Sequence, residues 1–203
     1  HKFMFVAFQK TGSSSIKYAL NQYRNLPLEV LMRCRYKIGK YRAEKEAFKH
    51  ISPDKIADLA WPIDTTDYFR FAFVRNPWDR LVSLYHYHRG NPDNPHHSKA
   101  AKLNFDEWVR SGGTGSFKKQ MSQFFYDDAG NLMVDYIGRY ESITEDFSNI
   151  CEKIGINVEL PVRNRSKRKA DYRTYYNEET VDLVRQLCAK DIEMFGYNFD
   201  GSG

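Results

Sequence analysis

The chain has 203 residues and a net charge of +5, which suit a single domain over residues 1–203 and favour an anionic ligand without requiring one. Its three cysteines are far apart and lack C-x-x-C spacing, which excludes a disulfide scaffold and a cysteine zinc site. No apolar run approaches the roughly 18 residues of a membrane helix, so a membrane span is excluded as well. We expect Cys151 and Cys188 to lie in the core.

The first segment combines a strand, a polar turn and a helix. Residues 3–8 are all apolar and predict a buried strand, while apolar residues at helical spacing from Ile16 onward predict a helix. In the turn between them, Lys10 supplies a positive charge, Gly12 allows close approach of the backbone, and residues 13–15 place amides and hydroxyls at the helix start. This arrangement predicts a phosphate or sulfate site, and an ordinary capped helix is the alternative.

The order of residues in this turn differs from that of the nucleotide-binding loop G-x-x-x-x-G-K-[ST]. That loop carries its lysine after the second glycine, whereas Lys10 precedes Gly12. The order argues against an ordinary ATP or GTP enzyme and leaves the prediction of an anion site intact.

The next elements are a helix, a strand and a second helix. Residues 52–54, Ser-Pro-Asp, have the N-cap, the proline and the early acid of a helix start. The stretch YFRFAFV, residues 68–74, places phenylalanine at every second position, which predicts a strand. Asn76 and Pro77 then start the second helix. Its apolar stripe, which we expect in the core, consists of Trp78, Leu81, Val82 and Tyr85.

Three further elements are predicted in the rest of the chain. Residues 89–104 contain two prolines and no periodicity, so we expect a long exposed loop that serves as a lid or a substrate wall. Thr144 is the predicted N-cap of a clear helix that Gly155 ends. Asn177 is the predicted N-cap of one last helix, over about residues 178–195.

The alternation of strands and helices predicts an α/β layer fold with a mainly parallel sheet, in which ligands bind at the carboxyl ends of the strands. The turn at Lys10 follows the first predicted strand, and Arg75 follows the second. Ser83 lies eight residues after Arg75, on the helix face opposite the apolar stripe. An arginine fork and a hydroxyl suit a phosphate. The alternatives are a surface salt bridge for Arg75 and simple exposure for Ser83.

Together, the two motifs resemble the PAPS-dependent sulfotransferases, and more closely the family 2 type, which includes bacterial and carbohydrate sulfotransferases. The stretch QKTGSSS, residues 9–15, resembles the loop that binds the 5′-phosphosulfate, and RNPWDRLVSLY, residues 75–85, resembles the 3′-phosphate element. Residues 136–156 and 172–199 are similar to the family's later helices. Ile16 stands where some cytosolic members have an adenine-stacking aromatic, so base recognition is expected to come from elsewhere.

The resemblance implies a fold class and a set of binding residues. The fold is a P-loop-like, three-layer α/β fold in which helices flank a central, mainly parallel sheet. The donor is PAPS, the product is PAP, and no metal is implied. The residues implied to bind the donor are Lys10, Thr11, Gly12, Ser13, Ser14, Ser15, Arg75 and Ser83, and Lys10 is also implied to be catalytic.

The acceptor hydroxyl needs a general base, and histidine titrates nearest to working pH. His50 precedes the segment SPDKIADL, about where the resemblance implies a catalytic histidine, and it is the predicted base. His86, His88, Glu44 and Glu46 stay open as alternatives, and His50 could instead be an exposed or capping residue.

Residues 163–169 form a basic stretch near the C-terminus. By resemblance this loop closes over the donor, with Lys167 and Arg168 as candidate contacts, and a solvated charged surface is the alternative.

The expected partner is a hydroxyl-bearing acceptor, most simply a carbohydrate or another small molecule, with no nucleic acid. The expected compartment is the cytoplasm for a bacterial protein and the Golgi lumen if an N-terminal anchor has been removed. Two other functions stay open from the residues alone. They are a P-loop kinase that uses ATP and a non-enzymatic binder of RNA or anionic glycan.

Overall fold

The computed structural model describes residues 1–23, 64–113, 120–127, 129–161 and 169–201. The chain divides into two compact units. The sheet unit is His1–Val74 with Phe124–Arg163, and the helical unit is Arg75–Gln123 with Asn164–Gly203. The helix predicted from residues 52–54 lies outside the described residues, and the single domain stays a prediction.

Three parallel strands form the sheet of the described residues, in the order β1-β2-β3. They are β1 (Phe3–Val6), β2 (Phe69–Val74) and β3 (Tyr136–Arg139). The central strand β2 pairs Phe69 with Phe3 on one side and Phe71 with Tyr136 on the other. The predicted α/β fold with a parallel sheet is confirmed.

The helices of the described residues follow one another along the chain in the order given next. They are α1 (Ser13–Ala19), α2 (Pro77–Arg89), α3 (His97–Lys102), α4 (Phe105–Arg110), α5 (Ser122–Phe125), α6 (Ile143–Ile154), α7 (Glu178–Leu187) and α8 (Ala189–Phe195). Within the same described ranges, 3₁₀ turns lie at Asn21–Tyr23 and Tyr172–Tyr175. No helix among these ranges is long and apolar enough to cross a membrane.

The core of the sheet unit covers the face of β2 that carries Phe71 and Phe73, both fully buried. Ile16 of α1 and Phe147 and Ile150 of α6 pack on that face. Because Ile16 is fully buried, it serves the core and not the recognition of a base. Both helices therefore hold the turns that precede them against the sheet.

Strand β3 corrects the interpretation of residues 136–156 as wholly helical. It contains only four residues, too few to show alternation in the sequence, and its conformation depends on pairing with β2. Gly138 is required by this pairing, because a Cβ there would lie 2.5 Å from the ring of Phe73. Helix α6 then begins after Ser142 instead of the predicted Thr144, and Gly155 ends it in the left-handed conformation as predicted.

The core of the helical unit is built on α2, whose start is as predicted. The Asn76 side chain accepts hydrogen bonds from the backbone N–H groups of Trp78 and Asp79, and Pro77 occupies the first helical position. The predicted apolar stripe lies in the core together with Trp108 of α4. Its members, Trp78, Leu81, Val82 and Tyr85, are all 2% exposed or less.

Two predictions for the helical unit are wrong. Residues 89–104 are not one long exposed loop, because His97–Lys102 forms α3 and Ala100 is fully buried. The last helix is two helices, α7 and α8, which are separated at Cys188. Apolar spacing could not reveal this break, because Val184, Cys188 and Ile192 keep helical spacing across it and pack on the same core. Cys151 and Cys188 are buried free thiols, as predicted.

Candidate active site

The turn after β1 holds two consecutive polar residues in a tight and strained shape. Lys10 has φ 67°, a left-handed conformation that costs a non-glycine residue about 1–2 kcal/mol. Thr11 is fully buried, and its hydroxyl donates to the carbonyl of Phe8 at 3.1 Å. Buried contacts of Thr11 thus fix the backbone on the C-terminal side of Lys10.

Gly12 closes the turn and starts α1. Its φ is 82°, and its carbonyl accepts hydrogen bonds from the N–H groups of Ser15 at 3.1 Å and Ile16 at 3.3 Å. The amide of Ser15 is therefore engaged within the turn, so Ser13 and Ser14 supply the helix-start amides that have no acceptor in their own helix. Such groups, with the lysine beside them, suit an anion.

The turn between β3 and α6 packs against Gly12. A Cβ at Gly12 would lie 2.4 Å from Cδ1 of Ile143 and 3.2 Å from Cδ2 of Tyr140. Only glycine fits this position without a displacement of its neighbours. The Lys10 turn is thus supported by a segment far away in the chain.

Asp146 organises that supporting segment. Its carboxylate accepts three hydrogen bonds: from the Tyr136 hydroxyl at 2.7 Å and the Arg139 N–H at 2.7 Å, both in β3, and from the Ser142 hydroxyl at 2.8 Å in the β3–α6 connection. Burial and the bond to Asp146 raise the pKa of Tyr136, which stays a neutral donor at physiological pH. The network holds the position of Tyr140 and Ile143.

In the helical unit, Arg75 is buried and held by a carboxylate four residues ahead. The Asp79 Oδ2 accepts from Arg75 Nε at 2.8 Å and lies 2.6 Å from Nη2. The side chains of Arg75 and Asp79 are 3% and 12% exposed. The alternative of a surface salt bridge is therefore wrong for Arg75, because its ion pair is internal.

Ser83 lies four residues after Asp79 and eight after Arg75. At this spacing the three side chains lie on one face of the α2 segment. Ser83 is only 8% exposed, which rules out the alternative of a simply exposed serine. The result is a short row of a guanidinium, a carboxylate and a hydroxyl.

A second buried arginine belongs to the framework of the helical unit. Burial lowers the pKa of Arg80, and the nearby Cys188 thiol and Asp191 carboxylate act in the opposite direction. Asp191 is fully buried and accepts from the backbone N–H groups of Met121 at 2.9 Å and Ser122 at 2.7 Å. The two hydrogen bonds of Asp191 attach α8 to the start of α5.

The histidines considered as alternative bases have structural contacts. His88 is 2% exposed, with its ring edge-to-face against Trp108, and His86 Nε2 forms a 3.0 Å hydrogen bond with the Tyr175 hydroxyl. Over the ranges that the structure describes, no three His, Cys, Asp or Glu side chains are grouped to hold a metal ion.

The two motifs follow neighbouring strands. Val6, the last residue of β1, is paired with Ala72 of β2, and Arg75 directly follows the last residue of β2. The predicted residues 10–15 lie in the sheet unit, and Arg75 and Ser83 lie in the helical unit. The predicted residues His50, Lys167 and Arg168, with the alternatives Glu44 and Glu46, lie outside the described residues.

Comparison with known protein families covers almost the whole chain. A sequence model described as "Sulfotransferase family" matches residues 1–198. This chain belongs to the sulfotransferase family. The membership confirms the prediction of a PAPS-dependent sulfotransferase and decides against the ATP kinase and the non-enzymatic binder.

Individual relatives of this sulfotransferase are distant. An uncharacterized protein of Archaeoglobus fulgidus is 33% identical over 108 residues, which are 52% of this chain and 83% of that protein. The crystal structure of mouse sulfotransferase SULT7A1 complexed with PAP has a TM-score of 0.50 at 16% identity, over 94% of this chain and 84% of that one. A sulfotransferase from Alicyclobacillus acidocaldarius has a TM-score of 0.46 at 14% identity, over 97% and 96%. At 16% identity, the likeness to the mouse sulfotransferase is one of fold.

Two contacts of this sulfotransferase were missed by sequence reasoning. The contact of Asp79 with Arg75 could have been predicted, because an acidic residue four positions after an arginine at a helix start has the spacing of an ion pair. The contact of Tyr140 and Ile143 with Gly12 could not have been predicted, since it joins segments far apart in the chain and depends on the pairing of β3.

Proposed function

We propose that this sulfotransferase moves the sulfuryl group of PAPS to a hydroxyl of a carbohydrate or glycan by in-line displacement. The observation that carries the proposal is the turn after β1, where Lys10 adopts a left-handed backbone two residues before Gly12. Strain of this kind at a non-glycine residue is typical of binding and catalytic turns, because the surrounding structure must hold it in place.

The turn suits the phosphosulfate end of the donor. The ammonium group of Lys10 would neutralise the charge on the departing phosphate oxygen, as lysines do in phosphoryl transfer. The amides of Ser13 and Ser14, at the first positions of α1, would bind the 5′-phosphate, with Thr11, Gly12 and Ser15 shaping the turn.

Arg75 and Ser83 suit the 3′-phosphate that distinguishes PAPS from ATP. Because Asp79 engages the Nε and Nη2 side of the guanidinium, a bidentate contact with phosphate would use the edge between the two terminal nitrogens. The buried position strengthens this contact, since water competes less for the ions.

PAPS supplies the sulfuryl group when it is bound. The acceptor oxygen forms a new bond to sulfur while the bond from sulfur to the phosphate oxygen breaks, and that oxygen leaves with PAP. His50 is the proposed base that takes the acceptor proton, worth about 10²–10⁴ in rate. The contacts of His86 and His88 support this choice, because each already has a structural role. Lys167 and Arg168 are proposed to close over the donor.

A thermal-shift comparison of PAP, ADP and ATP tests the proposal. PAP at 100 times its Kd should stabilise the protein by about 2.7 kcal/mol, whereas ADP and ATP should give much smaller shifts at equal concentration. Lys10→Ala should lose the PAP shift and sulfuryl transfer, and the exposed Lys153→Ala, a matched change of charge on α6, should keep both. Equal shifts for ATP and PAP would reject the proposal.

The acceptor is tested separately. The resemblance to carbohydrate sulfotransferases supports a sugar hydroxyl, and residues 90–135 are proposed to shape its site. Transfer of ³⁵S from labelled PAPS should occur to oligosaccharides and not to phenols. Labelling of phenols alone would reject the sugar acceptor and leave the donor assignment standing.

A further inference from the structure

The contact between Arg75 and Asp79 uses the guanidinium in a specific way. One carboxylate oxygen, Oδ2, contacts both Nε at 2.8 Å and Nη2 at 2.6 Å. The guanidinium is planar and rigid, so engaging one of its sides sets the direction in which the other edge points. Asp79 therefore restrains the orientation of the arginine head group from this side.

Stability alone is a weak explanation for this pair. Burying two charges costs several kcal/mol of desolvation for each ion, which the attraction between them often only offsets. Asp79 also lies in the first turn of α2, where a negative charge adds about 0.3–1 kcal/mol through the helix dipole. Exposed acids in first turns, such as Glu178 of α7, obtain the same benefit without a buried arginine.

We propose that Asp79 is a positioning residue for recognition of the 3′-phosphate, acting through Arg75. The inference rests on the proposed function, in which Arg75 binds that phosphate. By holding the guanidinium from one side, Asp79 restricts the rotation of the Arg75 side chain before the ligand arrives, so less side-chain entropy is lost on binding. The pair would thus contribute to the selectivity for a nucleotide that carries a 3′-phosphate.

The direction in which PAP affinity changes when Asp79 is neutralised distinguishes a positioning role from a purely electrostatic one. A carboxylate near a phosphate site repels the phosphate, so neutralising Asp79 should tighten PAP binding if charge is all that matters. If Asp79 orients Arg75, Asp79→Asn should weaken PAP binding instead. A purely structural role would lower the melting temperature and leave the ligand preference of the folded protein unchanged.

The experiment compares PAP with AMP, which is PAP without its 3′-phosphate. Both affinities are measured by calorimetry below the unfolding transition of every variant. The unmodified protein should prefer PAP. Asp79→Asn should weaken PAP binding by about tenfold to a hundredfold, the size of a lost charged hydrogen bond, and leave AMP binding unchanged. Asp79→Glu restores the charge on a longer side chain and should recover part of the lost PAP affinity. If Asp79→Asn does not fold, Asp79→Glu replaces it, and its PAP affinity should be lower than that of the unmodified protein while its AMP affinity is unchanged.

Two further variants complete the test. Asp106→Asn removes another helical Arg–Asp pair of the same spacing, with Arg110, and should leave the preference for PAP unchanged. In an Arg75→Met background, adding Asp79→Asn should cause no further loss of PAP affinity, because Asp79 acts only through Arg75.

The outcomes distinguish the inference from the proposed function. No preference for PAP over AMP in the unmodified protein would overturn the assignment of the 3′-phosphate site, and this inference with it. A preference that persists or grows in Asp79→Asn, or a further loss in the Arg75→Met background, would overturn the inference alone.

Discussion

Replacing Gly12 by alanine should reveal how closely the Lys10 turn is tied to the β3–α6 connection. The residue has φ 82°, and an added Cβ would lie 2.4 Å from Cδ1 of Ile143 and 3.2 Å from Cδ2 of Tyr140. Contacts below 3.0 Å cannot be kept, so either these side chains or the backbone of the turn must move.

The loss in the free energy of unfolding caused by Gly12→Ala has two parts. A left-handed alanine costs about 1 kcal/mol relative to glycine, and overpacking costs about 1–3 kcal/mol. Cδ1 of Ile143 is the end of a flexible side chain and can rotate away, and the ring of Tyr140, at 3.2 Å, needs to move by only a few tenths of an ångström. We therefore expect the packing part near its lower limit and a total loss of about 2 kcal/mol in the free energy of unfolding.

Gly130 offers a matched control. Its φ is 84°, close to that of Gly12, and a Cβ there would meet no atom of the described residues within 4 Å. Gly130→Ala should thus pay only the backbone cost of about 1 kcal/mol. The difference between the two variants isolates the packing between Gly12 and its neighbours.

Urea unfolding measures both variants, with an unchanged m-value as evidence that the two-state analysis applies. Calorimetry with PAP adds a functional measurement, because a displaced Lys10 turn should bind PAP more weakly while Gly130→Ala binds normally. Equal losses of stability in the two variants, or normal PAP binding in Gly12→Ala, would refute the packing argument.

Three other substitutions test separate features. Lys10→Gly should relieve backbone strain, raising the free energy of unfolding by up to about 1 kcal/mol, and abolish sulfuryl transfer; a loss of stability would contradict the strain at φ 67°. Burial raises the pKa of Cys188 to about 12, so its contribution to stability is complete below pH 9.0 and is lost as the pH rises towards 12, by about 1.4 kcal/mol per pH unit. Urea denaturation from pH 8 to 10.5 should show that the free energy of unfolding falls more steeply with pH in the unmodified protein than in Cys188→Ala. Parallel dependence on pH in the two proteins would contradict the prediction. His50→Ala should lower turnover about 10²–10⁴-fold with unchanged PAP affinity, and normal turnover would assign the base elsewhere.

The elements that could be predicted were those with local signals. Asn76 and Pro77 mark the start of α2, alternating phenylalanines mark β2, and Gly155 marks the end of α6, each as the structure has it. Elements without a local sequence signal were either not predicted or predicted as part of a longer element. Strand β3 is four residues long, and α7 and α8 share one apolar spacing across the break at Cys188.

The chemistry of the candidate site follows the same division. The amino-acid sequence by itself determined which groups are available: a lysine and a glycine before a helix, and an arginine and a serine eight residues apart after a strand. It also determined the family, through motifs that are continuous in the chain.

Only the tertiary structure decided the state of those groups. It buried the ion pair of Arg75 and Asp79, and it placed Tyr140 and Ile143 against Gly12. Burial and long-range contacts are set by segments that meet through strand pairing and core packing, and neighbouring residues in the sequence do not specify them.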